Sequence, residues 1–271
     1  MEYILIANDP GIAMYAQECG VHRIMVDLEI KGKRERQGHL DTVISSHSID
    51  DVKRIRQVID KSKLLVRINP IDEESKDEID RVVDAGADII MLPMFKSPVE
   101  VEKFISYVDG RCRNCLLLET PAAVARINQI VEVPGINEIH VGLNDLHLGF
   151  GLNFMFELLS GGIIEYLSKK INDADLFFGF GGIARLGRGV IDASFILGEH
   201  VRLNSQMVIL SRDFYKDVSN YEEFKTKVDL KGELSKMNDY LNYLKSLPPN
   251  ELNDRRSQLI KLVNEFCFKL Y

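Results

Sequence analysis

The sequence predicts an α/β fold, specifically a (β/α)8 TIM barrel with additional C-terminal helices. Short apolar, β-branched runs alternate with segments of helical spacing along most of the chain. The apolar runs do not alternate in polarity, which is typical of parallel strands that are buried on both faces. Consecutive runs end at a near-constant step of 25, 26 and 25 residues, near Asn69, Met94, Thr120 and Asp145. This step favours a closed barrel, with a doubly wound open sheet as the alternative.

Eight strands follow from this rhythm. They are predicted at residues 3–8, 23–29, 64–69, 88–94, 115–120, 136–145, 176–181 and 207–211. Helices between the strands are predicted at residues 10–19, 48–60, 75–85, 98–108 and 121–131. Because strand and helix alternate, we expect right-handed βαβ units.

The chain after the eighth strand is predicted to be helical. Helical spacing covers residues 221–230, 233–247 and 250–270, with breaks at Gly232 and at the Pro248-Pro249 pair. We therefore expect a barrel domain over residues 1–215 and a helical extension over residues 216–271. The extension would pack on the barrel or on a neighbouring subunit. The last helix carries an apolar face that needs a covering surface, formed by Leu252, Leu259, Leu262 and Phe266.

The composition sets limits on function. The 271 residues carry a net charge of −7, which argues against a nucleic-acid partner because phosphate binding needs a basic surface. No secretory signal is recognised and no apolar run approaches the ~18 residues of a membrane span, so we expect a cytoplasmic protein without a membrane partner. Cys112 and Cys115 form one C-x-x-C motif. Without a second pair, reduced thiols are expected rather than a zinc site.

Charged residues lie at the carboxyl ends of several predicted strands, where barrel enzymes place their catalytic groups. Glu119 and Asp145 follow the fifth and sixth strands, and two such carboxylates could share one hard cation such as Mg²⁺ or Mn²⁺. Arg67, after the third strand, could hold a substrate carboxylate in a bidentate fork. The alternatives are unrelated surface carboxylates and, for Arg67, a structural ion pair with Asp27 or Glu29.

Five ordered motifs resemble one enzyme family. They are V-D-L-E at 26–29, V-R-I-N-P at 66–70, G-A-D-I-I-M-L-P-M at 86–94, L-L-E-T-P-A-A at 117–123 and V-P-G-I-N-E-I-H-V-G-L-N-D-L at 133–146. This set resembles the HpcH/HpaI aldolase / citrate lyase β-subunit family over roughly residues 23–150. The resemblance implies a phosphoenolpyruvate/pyruvate-type barrel that makes or breaks a carbon–carbon bond next to a carbonyl. It also implies a small-molecule 2-oxo acid substrate and a homo-oligomer.

The resemblance implies roles for individual residues as well. Glu119 and Asp145 would be the ligands of a divalent metal ion, Mg²⁺ or Mn²⁺. Arg67 would bind the 2-oxo acid and stabilise its enolate, because fixed positive charge offsets the charge that develops on the enolate oxygen. Asp27 and Glu29, which end the second strand, are further candidate substrate-binding residues.

The general base does not follow from the resemblance. Aldolases of this family carry a histidine directly after the acidic pair of strand two, and this chain has Ile30 there. His39 and His47 follow in the next segment and are candidate catalytic residues, since histidine is the usual base near neutral pH. Alternatively, both histidines are only solvated, and a metal-bound hydroxide or Asp27 with Glu29 acts as the base.

A glycine-rich segment follows the seventh strand, at residues 179–184. It matches the dinucleotide pattern G-x-G-x-x-A only weakly, but loops after strand seven of barrels commonly bind phosphate. Gly181, Gly182 and Arg185 are therefore candidate substrate-binding residues, with close packing at a tight turn as the alternative. Basic residues after strand two either line an anionic-substrate entrance or form a solvated loop, and these are Lys31, Lys33, Arg34 and Arg36.

The sequence therefore favours a divalent-metal-dependent carbon–carbon lyase or aldolase that acts on a 2-oxo acid through a pyruvate-type enolate. One alternative is an acyl-CoA thioester lyase of the citrate lyase β-subunit type, although the C-terminal third shows no clear coenzyme A signature. The other alternative is a non-catalytic barrel that binds a small acid, which the absence of the family histidine at Ile30 keeps open.

Overall fold

The structure, a computed structural model, describes residues 1–32, 47–215, 218 and 220–269. Eight parallel strands close into one barrel in chain order, and the last strand pairs with the first. The strands are β1 (Glu2–Ile6), β2 (Arg23–Asp27), β3 (Lys63–Arg67), β4 (Ile89–Leu92), β5 (Arg113–Leu118), β6 (Glu138–Val141), β7 (Phe177–Ile183) and β8 (Met207–Leu210). The (β/α)8 barrel predicted from the sequence is confirmed, and the doubly wound open sheet is wrong.

Helices surround the barrel. Two of them begin at a serine that forms a capping box with an acidic residue three positions on, Ser48 with Asp51 and Ser97 with Glu100. The helices are α1 (Pro10–Glu18), α2 (Ile49–Val58), α3 (Ser75–Asp84), α4 (Pro98–Val108), α5 (Pro121–Ala125), α6 (Ile127–Ile130), α7 (Leu143–Gly149), α8 (Glu157–Ser160), α9 (Ile163–Asp173), α10 (Ala193–Arg202), α11 (Tyr221–Lys227), α12 (Leu230–Ser246) and α13 (Pro249–Phe268).

The connections around the sixth strand differ from the prediction. β6 ends at Val141, so Asp145 lies in the first turn of the short helix α7 rather than on the strand. The segment predicted as one helix over residues 121–131 forms two short helices that meet at Arg126. The long connection from β6 to β7 holds α7, α8 and α9, for which no helix was predicted.

Alternate side chains of each strand point into the barrel. The inward apolar residues are Ile4, Met25, Leu65, Ile89, Met91, Cys115, Leu117 and Met207. The N-terminal end of the barrel is closed by buried charges. Glu138 is fully buried, accepts hydrogen bonds from both terminal nitrogens of Arg23, and lies 2.9 Å from Nε of Arg113. Because these charges are paired, this end of the barrel carries little uncompensated charge.

The C-terminal helices pack on their own barrel. Helix α13 contacts α10 and α8, Leu259 and Val263 are buried, and the ring of Phe266 lies 4.4 Å from that of Phe154. Gly232 does not break a helix but lies inside α12, where its N–H donates to the Asp229 carboxylate. In the described part of the chain, no helix combines the length and apolarity that crossing a membrane requires. The division into domains at residue 215 stays a prediction.

We expect Leu259→Ala to lower the free energy of unfolding by about 2–5 kcal/mol, because it removes a fully packed side chain between α13 and the barrel. Urea denaturation followed by circular dichroism measures this loss. Phe268→Ala in the same helix is the matched control, since that side chain is 83% exposed and should leave stability nearly unchanged. Equal stability of both variants and the parent would show that α13 does not pack on the barrel.

Candidate active site

A cavity of about 580 Å³ opens at the carboxyl-terminal end of the barrel. It is lined by residues at the carboxyl-terminal ends of seven of the eight strands or directly after them, with β4 as the exception. Most of the residues that the sequence analysis singled out are among them, namely Asp27, His47, Arg67, Glu119, Asp145, Gly181 and Gly182. A second cavity, of about 640 Å³, lies at the opposite end and is lined by none of these residues. Because barrel enzymes carry their chemistry at the carboxyl-terminal end, the first cavity is the candidate active site.

Glu119 is held at the base of this cavity by backbone groups. It follows β5 directly and is only 3% exposed. Its Oε1 accepts a hydrogen bond from the N–H of Met94 at 3.2 Å, and Met94 has a left-handed backbone with φ of 57°. A non-glycine residue in this region is uncommon and often marks a functional site. Gly142 gives the carboxylate room, because a Cβ there would lie 2.7 Å from Oε2.

The carboxyl group of Glu119 is in an unfavourable environment for its negative charge. Burial raises its pKa well above the ordinary value; the positive charge of Arg67 opposes this shift, and the negative charges of Asp145 and Glu29 add to it. Asp145 is partly buried in the first turn of α7. Two carboxylates that line one cavity are suited to share a cation.

Arg67 is fixed by the two acidic residues that end β2. Its Nε and Nη2 donate to the two carboxylate oxygens of Asp27 at 2.8 and 2.7 Å, and Nη1 lies 3.3 Å from Glu29. Burial opposes the charge of Arg67, but Asp27 and Glu29 hold its pKa above the ordinary value. The ion pair that the sequence left open is therefore present. Arg67 also lines the cavity, and a guanidinium has five N–H donors, so donors remain for a substrate oxygen.

His47 contacts the last residue of β2 through its ring. Its Nδ1 accepts a hydrogen bond from the backbone N–H of Asp27 at 3.0 Å. Since a backbone N–H can only donate, Nδ1 carries no proton, and the neutral ring carries its proton on Nε2. Ile30, at the position of the family histidine, is 59% exposed. His39 lies outside the described residues.

Two glycines of the glycine-rich segment line the cavity, whereas Arg185, which follows them, does not. Gly181 and Gly182 lie within β7, which runs to Ile183, rather than in a loop after it. Both line the cavity, and Gly181 has a positive φ of 56°. Arg185 is paired instead with Asp213, which accepts from its backbone N–H at 3.1 Å and from its Nε at 3.0 Å. Arg185 is not among the residues that line the cavity, and its substrate contact stays a prediction. Lys31 is exposed and paired with two acidic residues; Lys33, Arg34 and Arg36 lie outside the described residues.

His140 is a cavity residue that the sequence analysis did not single out. It lies on β6, is fully buried, and its Nε2 donates to the carbonyl oxygen of Gly181 at 3.0 Å. Burial lowers its pKa to about 4, so the ring is neutral at physiological pH. Its Nδ1 has no hydrogen-bond partner among the described residues. The signal in the sequence is the pair of polar residues, Glu138 and His140, at alternate positions of an apolar strand.

The oxygen ligands present fit a hard divalent cation. Within the described ranges, no group of three or more His, Cys, Asp or Glu residues could hold a metal ion. Mg²⁺, however, usually takes one or two carboxylates and completes its octahedron with water and substrate oxygens. Glu119 and Asp145 supply two such carboxylates in a cavity large enough for a small substrate, and the raised pKa of Glu119 indicates a charge that a cation would relieve.

We expect Glu119→Gln to stabilise the protein above pH 7 in the presence of a chelator. Because the pKa of Glu119 in the folded state lies above its unfolded value, the folded state binds more protons between those two pKa values, and stability falls as pH rises through that window. The neutral amide removes this loss. Thermal denaturation from pH 4 to 9 should show the gain shrinking toward acid pH.

The exposed Glu102 provides the matched control, and Glu102→Gln should follow the wild-type profile. Destabilisation by Glu119→Gln at all pH values would mean that the Glu119 charge is compensated within the chain itself.

Structural comparisons identify the same fold in other proteins. The HpcH/HpaI aldolase from Desulfitobacterium hafniense shares 16% identity at a TM-score of 0.61, over 91% of this chain and 93% of that one. An HpcH/HpaI aldolase/citrate lyase family protein from Burkholderia cenocepacia shares 14% identity at 0.60, over 90% and 95%. Citrate synthase SbnG shares 14% identity at 0.60, over 88% and 93%. At such identities these similarities show the fold alone.

Sequence comparison identifies the family. No curated protein matches the chain. The family model HpcH/HpaI aldolase/citrate lyase matches residues 6–154, a range that is more than half of the chain and contains Asp27, Arg67, Glu119 and Asp145. The chain, which carries this match on a closed (β/α)8 barrel, therefore belongs to the HpcH/HpaI aldolase/citrate lyase family.

Proposed function

We propose that the protein is a divalent-metal-dependent carbon–carbon lyase or aldolase that acts on a 2-oxo acid through a pyruvate-type enolate. The family consists of aldolases and lyases. The dependence on a metal ion and the 2-oxo acid substrate go beyond the family description and are proposed for this protein. The observation that carries it is the pairing of Glu119 with Asp145 beside Arg67 in one cavity at the carboxyl-terminal end of the barrel.

Glu119 and Asp145 would hold the cation, Mg²⁺ or Mn²⁺. When bound, such a cation polarises the carbonyl of the 2-oxo acid and offsets the negative charge of the enolate oxygen. Both carboxylates are held in place by the backbone around them. Glu119 accepts a hydrogen bond from the Met94 N–H, and Asp145 lies in the first turn of α7. These residues would hold the cation at the end of the barrel that opens to solvent.

Arg67 would bind the 2-oxo acid and stabilise the developing enolate. Asp27 holds the guanidinium through two hydrogen bonds, so its plane is fixed before substrate binds. A positive charge that is already in place needs no reorganisation during the reaction, which is the main source of electrostatic stabilisation in enzymes. Asp27 and Glu29 thereby act on the substrate through Arg67.

His47 is assigned the role of a hydrogen-bond donor. Its Nδ1 is engaged by the Asp27 N–H, so its own N–H is on Nε2. In the direction of carbon–carbon bond formation, this N–H would donate a hydrogen bond to the carbonyl oxygen of the acceptor and stabilise the alkoxide, which then takes its proton from water. His39 stays a prediction for the base that removes a methyl proton from pyruvate. Homo-oligomerisation and a cytoplasmic location also stay predictions.

Exchange of the pyruvate methyl protons tests the function. Wild-type protein with Mn²⁺ in deuterium oxide should incorporate deuterium at the methyl group, which NMR detects, because enolate formation makes these protons labile. Asp145→Asn should lose most of this exchange, since one anionic ligand of the cation is gone. Glu102→Gln is the control and should exchange at the wild-type rate. Failure of the wild-type protein to exchange pyruvate protons faster than Mn²⁺ alone would contradict the proposal.

Arg67→Lys should lower kcat/KM by roughly 10²–10³-fold, the loss typical of removing one preorganised transition-state donor. An ammonium group is a point charge and cannot reproduce the bidentate bond to Asp27 together with a contact to substrate. The loss should appear in both KM and kcat, because the group would contact the ground state and the enolate alike. Wild-type kinetics in this variant would show that Arg67 serves only as a structural partner of the β2 carboxylates.

A further inference from the structure

The side of the cavity formed by β8 carries polar groups that the proposed chemistry does not use. Ser211 and Arg212 follow β8 directly, and Tyr215 comes after a single 3₁₀ turn at Arg212–Phe214. All three line the cavity, together with Gly182 from β7. Glu119 and Asp145 belong instead to the connections after β5 and β6, and Arg67 is the last residue of β3. The cavity is therefore larger than the site for pyruvate requires. Its second half, on the β8 side, is lined by polar groups that could bind another part of the substrate.

Arg212 is the cationic group of this second half. Its side chain is exposed to the cavity, and it forms no ion pair with any residue in the described part of the chain. The neighbouring carboxylate, Asp213, is engaged by Arg185 at 3.0 Å and does not neutralise it. An arginine that lines a cavity without a carboxylate partner is suited to bind an anion there.

Tyr215 adds a neutral donor next to this charge. Its hydroxyl has no hydrogen-bond partner among the residues that the structure describes. Tyr215 and Arg212 lie on the same 3₁₀ turn, where the N–H of Tyr215 donates to the carbonyl oxygen of Arg212 at 3.0 Å, and both line the cavity. Burial raises the pKa of Tyr215, and the positive charge of Arg212 acts in the opposite direction. The phenol therefore stays protonated at neutral pH and can donate a hydrogen bond to the group that Arg212 attracts.

We propose that Arg212 and Tyr215 form a subsite for the terminal phosphate of the acceptor substrate, so that the protein joins a 2-oxo acid enolate to a phosphorylated aldehyde. This assignment rests on the proposed function and names the class of its second substrate. The loops after strands seven and eight of a barrel are a frequent place for phosphate. Arg212, Tyr215 and Ser211 line the same cavity, and the Ser211 Oγ, which accepts the Asp213 N–H at 3.3 Å, keeps its proton to donate. A phosphate has three terminal oxygens that can accept hydrogen bonds from such a set of donors.

Binding of sn-glycerol 3-phosphate tests the subsite without catalysis, because this probe has the phosphate but no aldehyde. Calorimetry in the presence of Mg²⁺ should show binding to the wild-type protein and no binding of glycerol. Arg212→Gln should weaken binding about tenfold or more, as expected for the loss of a charged hydrogen bond. Tyr215→Phe, which keeps the ring, should weaken it less. Arg188→Gln is the matched control, since Arg188 is exposed and does not line the cavity.

Kinetics with two acceptors then test the specificity. The ratio of kcat/KM for D-glyceraldehyde 3-phosphate over D-glyceraldehyde should fall about tenfold or more in Arg212→Gln, mainly through KM, and should not change in Arg188→Gln. Equal binding of the phosphate probe by wild type and Arg212→Gln would overturn the subsite, and so would a preference for succinic semialdehyde over the phosphorylated aldehyde. Failure of pyruvate exchange would contradict only the proposed function, because the probe still reports on Arg212.

Discussion

The buried negative charge of Glu119 is the constraint on which the carboxyl-terminal end of the barrel depends. A carboxylate that is 3% exposed needs compensating charge or hydrogen bonds. Among the residues that the structure describes, the backbone N–H of Met94, in a left-handed conformation, and the positive charge of Arg67 compensate it. Arg67 is also shared with Asp27 and Glu29. The pKa of Glu119 stays raised all the same, and in the proposed function a divalent cation would stabilise its negative charge.

The two ends of the barrel handle buried charge in different ways. At the N-terminal end, the two carboxylates of Glu138 and Glu2 are paired with the two guanidinium groups of Arg23 and Arg113, so the charges balance. At the other end, the guanidinium of Arg67 interacts with the carboxylates of Asp27, Glu29 and Glu119, and Asp145 adds to the negative charge near Glu119. Burial makes the ionisation of Glu119 costly there, as its raised pKa shows. A divalent cation beside Glu119 would relieve this cost, which is physical support for the proposed metal dependence.

The barrel was predictable from the sequence because its signal is periodic. Apolar runs at a constant step predict parallel strands. The carboxyl ends of these strands form one end of the barrel, so Arg67 and Glu119 are expected to lie together there. Asp145 was placed at that face correctly but on the wrong element, because the turn at Gly142 that starts α7 has no strong local signal. Asp145 still lies in the same cavity as Glu119, because α7 begins two residues after the end of β6.

Contacts between distant parts of the chain were not predictable. Nothing near Arg185 indicates that Asp213, 28 residues away, takes its guanidinium. The packing of α13 on α10 and α8 likewise depends on tertiary contacts, so the sequence left both covering surfaces open. His140 was not predicted as a cavity residue because it lies inside β6, whereas the candidate residues were those at the ends of strands. These cases share one cause. The role of each residue depends on the residues that pack against it, and the periodicity of the sequence carries no information about those contacts.

A crystal structure of the protein with Mn²⁺ and pyruvate, measured at a wavelength that reveals manganese by anomalous scattering, tests the central claim most directly. The account predicts one anomalous peak in the cavity, at roughly 2.1 Å from carboxylate oxygens of both Glu119 and Asp145, with the pyruvate carbonyl oxygen on the same ion and Arg67 still bound to Asp27. A complex in which pyruvate is bound but the manganese peak is absent, or lies away from both carboxylates, would contradict it.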